Sequence, residues 1–176
     1  MTITIAELDS VPRDAAIEFL SSCCGSTRWS EAMVARRPFV TCDALLQAAD
    51  EEWKRLSPND WLEAFAHHPR IGERRAAAHV DARARRWSES EQSSAASSDD
   101  GAKQRLAAAQ HEYEARFGHI FLISASGKGS QEILSTLRTR MSNDPKTELG
   151  VAAEEQRQIT RLRLKQAVDA STTASA

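Results

Sequence analysis

Ile120-Phe121-Leu122-Ile123 is the stretch on which the fold turns. A short apolar run of this kind fits a buried strand or a buried helical segment, so its neighbours must arbitrate. A strand needs partners, and the chain has no second strand-like run to supply one. The run is therefore expected to be a buried extended segment or a helix turn. The fold is expected to be all-α, a single compact multi-helix domain.

The flanks agree. Before the run, Leu106, Ala109, Tyr113 and Phe117 recur at helical spacing, and Gly118 suits the stop. After it, Ser130 is expected to cap a helix carrying Ile133, Leu134, Leu137 and Met141, ending near Asn143. Asp144-Pro145 opens the last and longest helix, with an inner stripe of Leu149, Ala152, Ala153, Gln156, Ile159 and Arg163. Beyond Val168 the chain is small and polar, so residues 169–176 are expected to form a flexible tail.

Further toward the N-terminus, residues 12–24 read as a helix with Ala16, Phe19, Leu20 and Cys23 on one face, ended by Gly25. Residues 29–35 form a short helix capped by Ser26 or Thr27. Arg37-Pro38-Phe39 is an extended connector. Thr41 caps a longer helix in which Leu45, Leu46, Ala49, Trp53 and Leu56 recur. Ser57 and Pro58 then open a helix whose apolar face is Trp61, Leu62 and Phe65, with Asp60 at the positive end of its dipole. That helix must stop near His67, because Pro69 pushes His68 out of the α region.

Gly72 marks a second change of direction. Residues 73–87 are mostly Ala and Arg, favourable to helix but poor in large apolar groups, and are expected to be exposed or partly mobile. Ser88-Glu89-Ser90-Glu91 matches a capping box, and residues 93–101 read as a loop. No repeat or linker interrupts residues 1–168, which are expected to form one domain.

Composition narrows the function. At 176 residues, 41% hydrophobic and 27% charged, the chain can bury a core, and its net charge of -2 gives no bulk attraction to nucleic acid or to an acidic membrane. Cys23, Cys24 and Cys42 are an odd set without a CxxC pair, which argues for free thiols in a reducing compartment. No apolar run approaches a membrane span, and neither terminus carries a targeting pattern. Residence in the cytoplasm is the expectation.

Several chemistries fail on spacing. Gly127-Lys128-Gly129-Ser130 lacks the early glycine of a phosphate loop, and serine does not follow the lysine directly. It reads as a turn whose lysine could still contact a small anion. His67, His68, His79, His111 and His119 form no i, i+4 metal pair, and the cysteines lie far from them, so no metal is expected. No GxSxG elbow is present, and nothing marks a cysteine as activated.

What remains is a constellation of His68, Arg70, Ser88, Glu91, Gln92 and Arg163. His68 sits at a helix end on backbone stiffened by Pro69, a good mount for a group that must keep its orientation. A histidine there also simply complements the helix dipole. Arg163 lies in an apolar stripe, where a buried guanidinium needs a carboxylate or an anionic ligand unless it snorkels outward. Capping alone would explain Ser88 and Glu91, yet a helix N-terminus is also an anion site.

Taken in order, Arg37-Pro38-Phe39, His68-Pro69-Arg70-Ile71-Gly72, Ser88-x-x-Glu91-Gln92, Tyr113-x-x-Arg116-Phe117-Gly118-His119-Ile120-Phe121, Asn143-Asp144-Pro145-x-x-Glu148-Leu149 and Ile159-x-x-Leu162-Arg163-Leu164 resemble the OHCU decarboxylases. These are enzymes of urate breakdown, OHCU being 2-oxo-4-hydroxy-4-carboxy-5-ureidoimidazoline. The resemblance runs from about Leu8 to Leu164 and departs where Gln110 stands in place of a frequent asparagine. It implies an all-helical fold, commonly a homodimer, that converts OHCU to (S)-allantoin and CO2 with no metal or organic cofactor.

By the same resemblance His68 and Glu91 are the catalytic residues, and Pro69, Ser88, Gln92, Ile120 and Arg163 bind the substrate. Glu91 would pair with His68 or act on the substrate hydroxyl. Two rival readings remain: an enzyme on another ureide-type acid, and a helical interaction module without activity.

Overall fold

A computed structural model describes residues 2–72 and 100–169, and the fold is all-α. In chain order its helices are α1 (Ile5–Ser10), α2 (Arg13–Cys23), α3 (Thr27–Ala35), α4 (Cys42–Lys54), α5 (Pro58–Ala66), α6 (Asp100–Phe117), α7 (Ser130–Arg140) and α8 (Pro145–Ala167). A pair of two-residue strands, β1 (Ile3–Thr4) and β2 (Val168–Asp169), runs parallel with Ile3 opposite Val168. Asp169, which the sequence assigns to the tail, is thus paired with Thr4. Residues 73–99, with the helix-favouring Ala/Arg segment, the capping box and most of the expected loop, lie outside the described residues, as do 170–176.

Local chemistry starts the helices where the sequence places them. Ser26 Oγ accepts from Trp29 N–H, and Thr41 Oγ1 accepts from Ala44 N–H at 3.1 Å. At α5 the Ser57 N–H and hydroxyl both donate to Asp60 Oδ2, at 2.8 and 2.7 Å. These contacts hold the Asp60 carboxyl below the usual range. Asp144 does the same work for α8, accepting from the N–H groups of Lys146 and Thr147.

The residues divide into two compact units, Met1–Glu63 with Arg157–Ala176, and Ala64–Gln156. In the first, α2, α3 and α4 pack through Leu20, Trp29, Met33, Leu45 and Trp53, all buried. The indole of Trp29 donates to Ala49 O at 3.1 Å, so its one polar atom is satisfied inside the core. Arg37 donates to the carbonyls of Leu8 and Val11, while Asp9 accepts from the N–H groups of Phe39 and Val40. Arg37-Pro38-Phe39 therefore straps its loop to the end of α1.

The second unit has its own core of Ile71, Leu106, Ala109, Tyr113, Phe121, Ile123, Ala125, Ile133, Leu134 and Leu137. Each large side chain so buried contributes about 1.5–3 kcal/mol of transfer free energy. Residues 120–125 are neither helix nor strand, and Phe121, Leu122 and Ile123 are all buried. The fold-deciding run is an extended core segment.

Four local expectations are corrected. α6 already begins at Asp100, so Gly101 is helical rather than part of a loop. Ser130 is the first residue of α7 and Gly129 is its cap, with no side-chain hydrogen bond. Leu62 is 37% exposed, whereas Phe65 is buried as expected, joined by Ala64, and Trp61 stacks on Trp53 at 6.2 Å. On α8 Glu148 is fully buried where Leu149 was expected to lead the stripe. The reason is chemical: Glu148 meets Arg140, Tyr113 and Asn143, and paired that way a carboxylate can leave water.

Candidate functional site

His68 stands two residues beyond the end of α5, and the turn that holds it is built from both sides. His67 N–H and His68 N–H donate to Ala64 O and Phe65 O, closing the helix with short-range bonds as Pro69 prevents its continuation. Two residues on, Arg70 Nε and Nη2 donate to the two carboxylate oxygens of Glu114, at 2.6 and 2.8 Å. The Arg70 guanidinium holds the Glu114 carboxyl below its ordinary range. Arg70, a member of the sequence constellation, is thus committed to a fork-to-fork ion pair with α6.

Ile71 is gripped next. Its N–H donates to Gln110 Oε1 at 2.9 Å, and its carbonyl accepts from Gln110 Nε2 at 3.0 Å. Gln110 is 2% exposed and uses its amide as a strand partner would. Gly72 then turns the chain at φ +86°, a left-handed conformation open to glycine at little cost.

The Ile120 segment lies against the same helix end. The His119 imidazole packs on Phe65 at 5.4 Å and on Tyr113 at 5.6 Å, which brings the end of α5 beside the residue preceding Ile120. His119 Nδ1 is 3.0 Å from Ile120 O, and because a carbonyl only accepts, Nδ1 carries the proton there.

Ile120, Leu122 and Ser124 share one edge of the extended backbone. Side chains satisfy it: Arg140 Nη1 donates to Leu122 O at 2.7 Å, Glu155 Oε2 accepts from Ser124 N–H at 2.8 Å, and Lys128 Nζ donates to Ser124 O at 2.7 Å. Lys128, which the sequence left available for an anion, uses one of its three N–H donors here. The main-chain groups of Phe121 and Ile123 find no hydrogen-bond partner among the described residues. Backbone polar groups in a core call for one.

Behind this segment is a buried polar cluster. Tyr113 donates its hydroxyl to Glu148, and Arg140 Nε and Nη2 donate to the same carboxylate. The Arg140 guanidinium also lies over the Phe121 ring at 4.6 Å. Burial first, and then the Glu148 hydrogen bond, push the Tyr113 phenol far above its ordinary range.

Arg163 belongs to the other unit and is 3% exposed on α8. Its charge acts on the Cys24 thiol, to which the Thr160 side chain hydrogen-bonds. Burial pushes that thiol up to about 11, outweighing the lowering effects of Ser26, Thr160 and Arg163, so Cys24 is an inert neutral group at physiological pH. Ser88, Glu91 and Gln92 lie outside the described residues. No three His, Cys, Asp or Glu side chains converge as a metal site among the described residues.

Sequence reasoning did not single out Gln110 or Glu114 as supports of the turn, nor Arg140, Glu155 and Lys128 as partners of the extended segment. Only the four-residue spacing of Gln110 and Glu114 on one helix face hints at a joint role.

Known proteins share this sequence and fold. A family model described as OHCU decarboxylase matches residues 9–165. The uric acid degradation bifunctional protein TTL of Arabidopsis thaliana is 41% identical over 143 residues, 81% of this chain and 44% of that protein. The uric acid degradation bifunctional protein of Bacillus sp. (strain TB-90) is 24% identical over 92% of this chain and 32% of its own length. The chain therefore spans less than half the length of either curated relative. A crystal structure of OHCU decarboxylase in the presence of (S)-allantoin superposes with a TM-score of 0.73 at 36% identity, covering 85% of this chain and 96% of that one. A crystal structure of (S)-allantoin synthase shares the fold, with a TM-score of 0.70 at 21% identity over 95% of this chain and 55% of that one.

Proposed function

The chain belongs to the OHCU decarboxylase family, and from that premise we propose that it converts OHCU to (S)-allantoin and CO2 in urate breakdown, with no metal or organic cofactor. The observation that carries the reading is the mount of His68: an imidazole at a proline-stiffened helix end, with its turn tied to α6 and Phe65 of the same helix packed on His119.

The reaction asks little of a cofactor. The bond from the ring carbon to the carboxylate breaks, CO2 leaves, and the imidazoline ring delocalises the electron pair left behind. The pair passes into the ring's C=N bond, leaving an enol whose ring nitrogen takes up a proton. A second proton delivered to one face of the neighbouring ureido-bearing carbon, as the hydroxyl gives up its own and becomes the carbonyl, completes (S)-allantoin. The substrate thus carries the electron sink that a cofactor supplies elsewhere. His68 serves as the acid/base group, since imidazole exchanges protons near neutrality. Arg163 orients the substrate through charge-assisted hydrogen bonds. Glu91 pairs with His68 or acts on the substrate hydroxyl. Pro69, Ser88, Gln92 and the Ile120 segment hold the polar ring and ureido edges, and the main-chain groups of Phe121 and Ile123 suit that task.

Residues 1–168 act as one domain in this reading, and the family match across both compact units supports it. The enzyme is a homodimer of the cytoplasm; no described helix is long and apolar enough to cross a membrane. The decisive experiment mixes the protein with freshly generated OHCU and follows ultraviolet absorbance and circular dichroism. Accelerated loss of OHCU with the dichroism of (S)-allantoin is expected. Decay at the uncatalysed rate, yielding racemic allantoin, refutes the proposal.

A further inference from the structure

We propose that Gln110 and Glu114 are positioning residues for His68, acting through the backbone of the turn rather than on the substrate; the inference rests on the decarboxylase reading. Gln110 and Glu114 stand four residues apart on α6 and so share one face. Both ends of the Gln110 amide are used on Ile71, and both oxygens of the Glu114 carboxylate are used on Arg70. Consecutive residues of one turn are thereby tied to one helix by four directed hydrogen bonds.

Ile71 anchors the turn in the core, but Arg70 is only partly buried and Gly72 is exposed. A cavity of about 240 Å³ adjoins the turn, lined by Arg70, Ile71 and Gly72 on one side and Lys103, Gln110 and His111 on the other. Gly72 beyond it is at φ +86° and adds no side chain. Pro69 stiffens the link between His68 and Arg70, so a shift in residues 70–71 is passed to the imidazole instead of being absorbed. A misplacement of about 1 Å at a reacting group can cost about a hundredfold in rate.

The test uses Gln110→Leu, which keeps bulk and loses both hydrogen bonds, and Glu114→Gln. The latter is the safer variant, because Glu114 is partly exposed and its amide can still accept from Arg70. Steady-state turnover of OHCU is measured with a thermal melt, and the His68 ring resonances are followed by NMR across pH in the absence of substrate, assigned with His68→Asn. Expected for both variants are a fall in kcat of roughly ten- to a hundredfold, KM within about twofold, and a displaced or broadened His68 resonance in a folded chain.

Unchanged kcat and an unmoved His68 resonance in folded Glu114→Gln would overturn the proposal, whatever the melting temperature of Gln110→Leu. Failure of the decarboxylase reading looks different. The unsubstituted protein would then leave OHCU untouched, while the His68 resonance would still respond to Glu114→Gln.

Discussion

Arg140 and Glu148 are ion-paired at 2.6 Å with side chains 7% and 0% exposed, and every further contact of the pair is directed. Asn143 Nδ2 fills Glu148 Oε2 at 2.8 Å, and Arg140 Nη1 reaches Leu122 O at 2.7 Å. A buried pair of this quality roughly offsets its own desolvation, whereas a lone survivor does not. Glu148→Gln or Arg140→Met should each destabilise the chain by about 3–5 kcal/mol. The double substitution Arg140→Met with Glu148→Gln should cost less than the sum of the two. Urea titrations of the variants check this; additive costs would mean that the two groups act independently.

Tyr113, the only tyrosine in the chain, gives an alkaline readout. Burial and the hydrogen bond to Glu148 raise its folded pKa above the unfolded value near 10. A raised pKa contributes stability that is fully present below the unfolded value and is lost as pH rises beyond it. Tyrosinate absorbance should therefore stay silent through pH 10 in the folded chain and appear only with unfolding. Reversible ionisation near pH 10 with the circular dichroism intact would show that the phenol is open to water.

Much of the fold was legible because helix starts are local. Thr41, Ser57 and Asp144 are recognisable within a few residues of what they cap, and Gly118 and Pro69 mark stops by their own geometry. The errors have tertiary causes. Leu149 was expected to lead the α8 stripe, and the burial of Glu148 was missed because its partners Arg140 and Tyr113 come from other helices. Leu62 read as inward because periodicity shows a stripe but not how wide the neighbour covering it is. His68 could be singled out through Pro69, whereas its supports could not. Gln110 lies 39 positions from Ile71 and Glu114 lies 44 from Arg70, so their pairing appears only once the chain has folded.

Chelation should leave turnover intact. The histidines lack metal-ligand spacing, and among the described residues no group of three candidate ligands converges. The measurement is OHCU decarboxylation before and after exhaustive dialysis against a chelator. Activity lost and then restored by zinc would demand a metal role and a revised mechanism.

The doubled histidine separates site from helix end. His67 is exposed and its N–H closes α5, whereas His68 is partly buried and is followed by the proline. His68→Asn should lower kcat by at least about a hundredfold, in the range of lost general acid/base catalysis, with the melting temperature preserved. His67→Asn should stay within about twofold, since a single surface substitution removes no site contact. A dead His67→Asn beside an active His68→Asn would reverse the assignment.

Arg163 is the most demanding position, because its burial and its proposed role pull on the same group. It is 3% exposed beside the Cys24 thiol, a burial that costs a guanidinium its hydration unless other polar groups replace it. Arg163→Lys preserves charge but replaces a planar fork with a single ammonium, which cannot grip a carboxylate at two points. Activity should fall by about a hundredfold, the scale of a lost orienting contact, while the melting temperature drops only modestly. Arg163→Ala removes the charge as well as the fork. It should abolish turnover and destabilise the substrate-free chain, by up to about 3–5 kcal/mol if the pocket is dry and less where water enters. Steady-state kinetics on OHCU and a melt of each variant decide between the roles. Normal turnover by Arg163→Lys would reduce the residue to a structural cation, and the carboxylate-orienting role would then have to pass to another group.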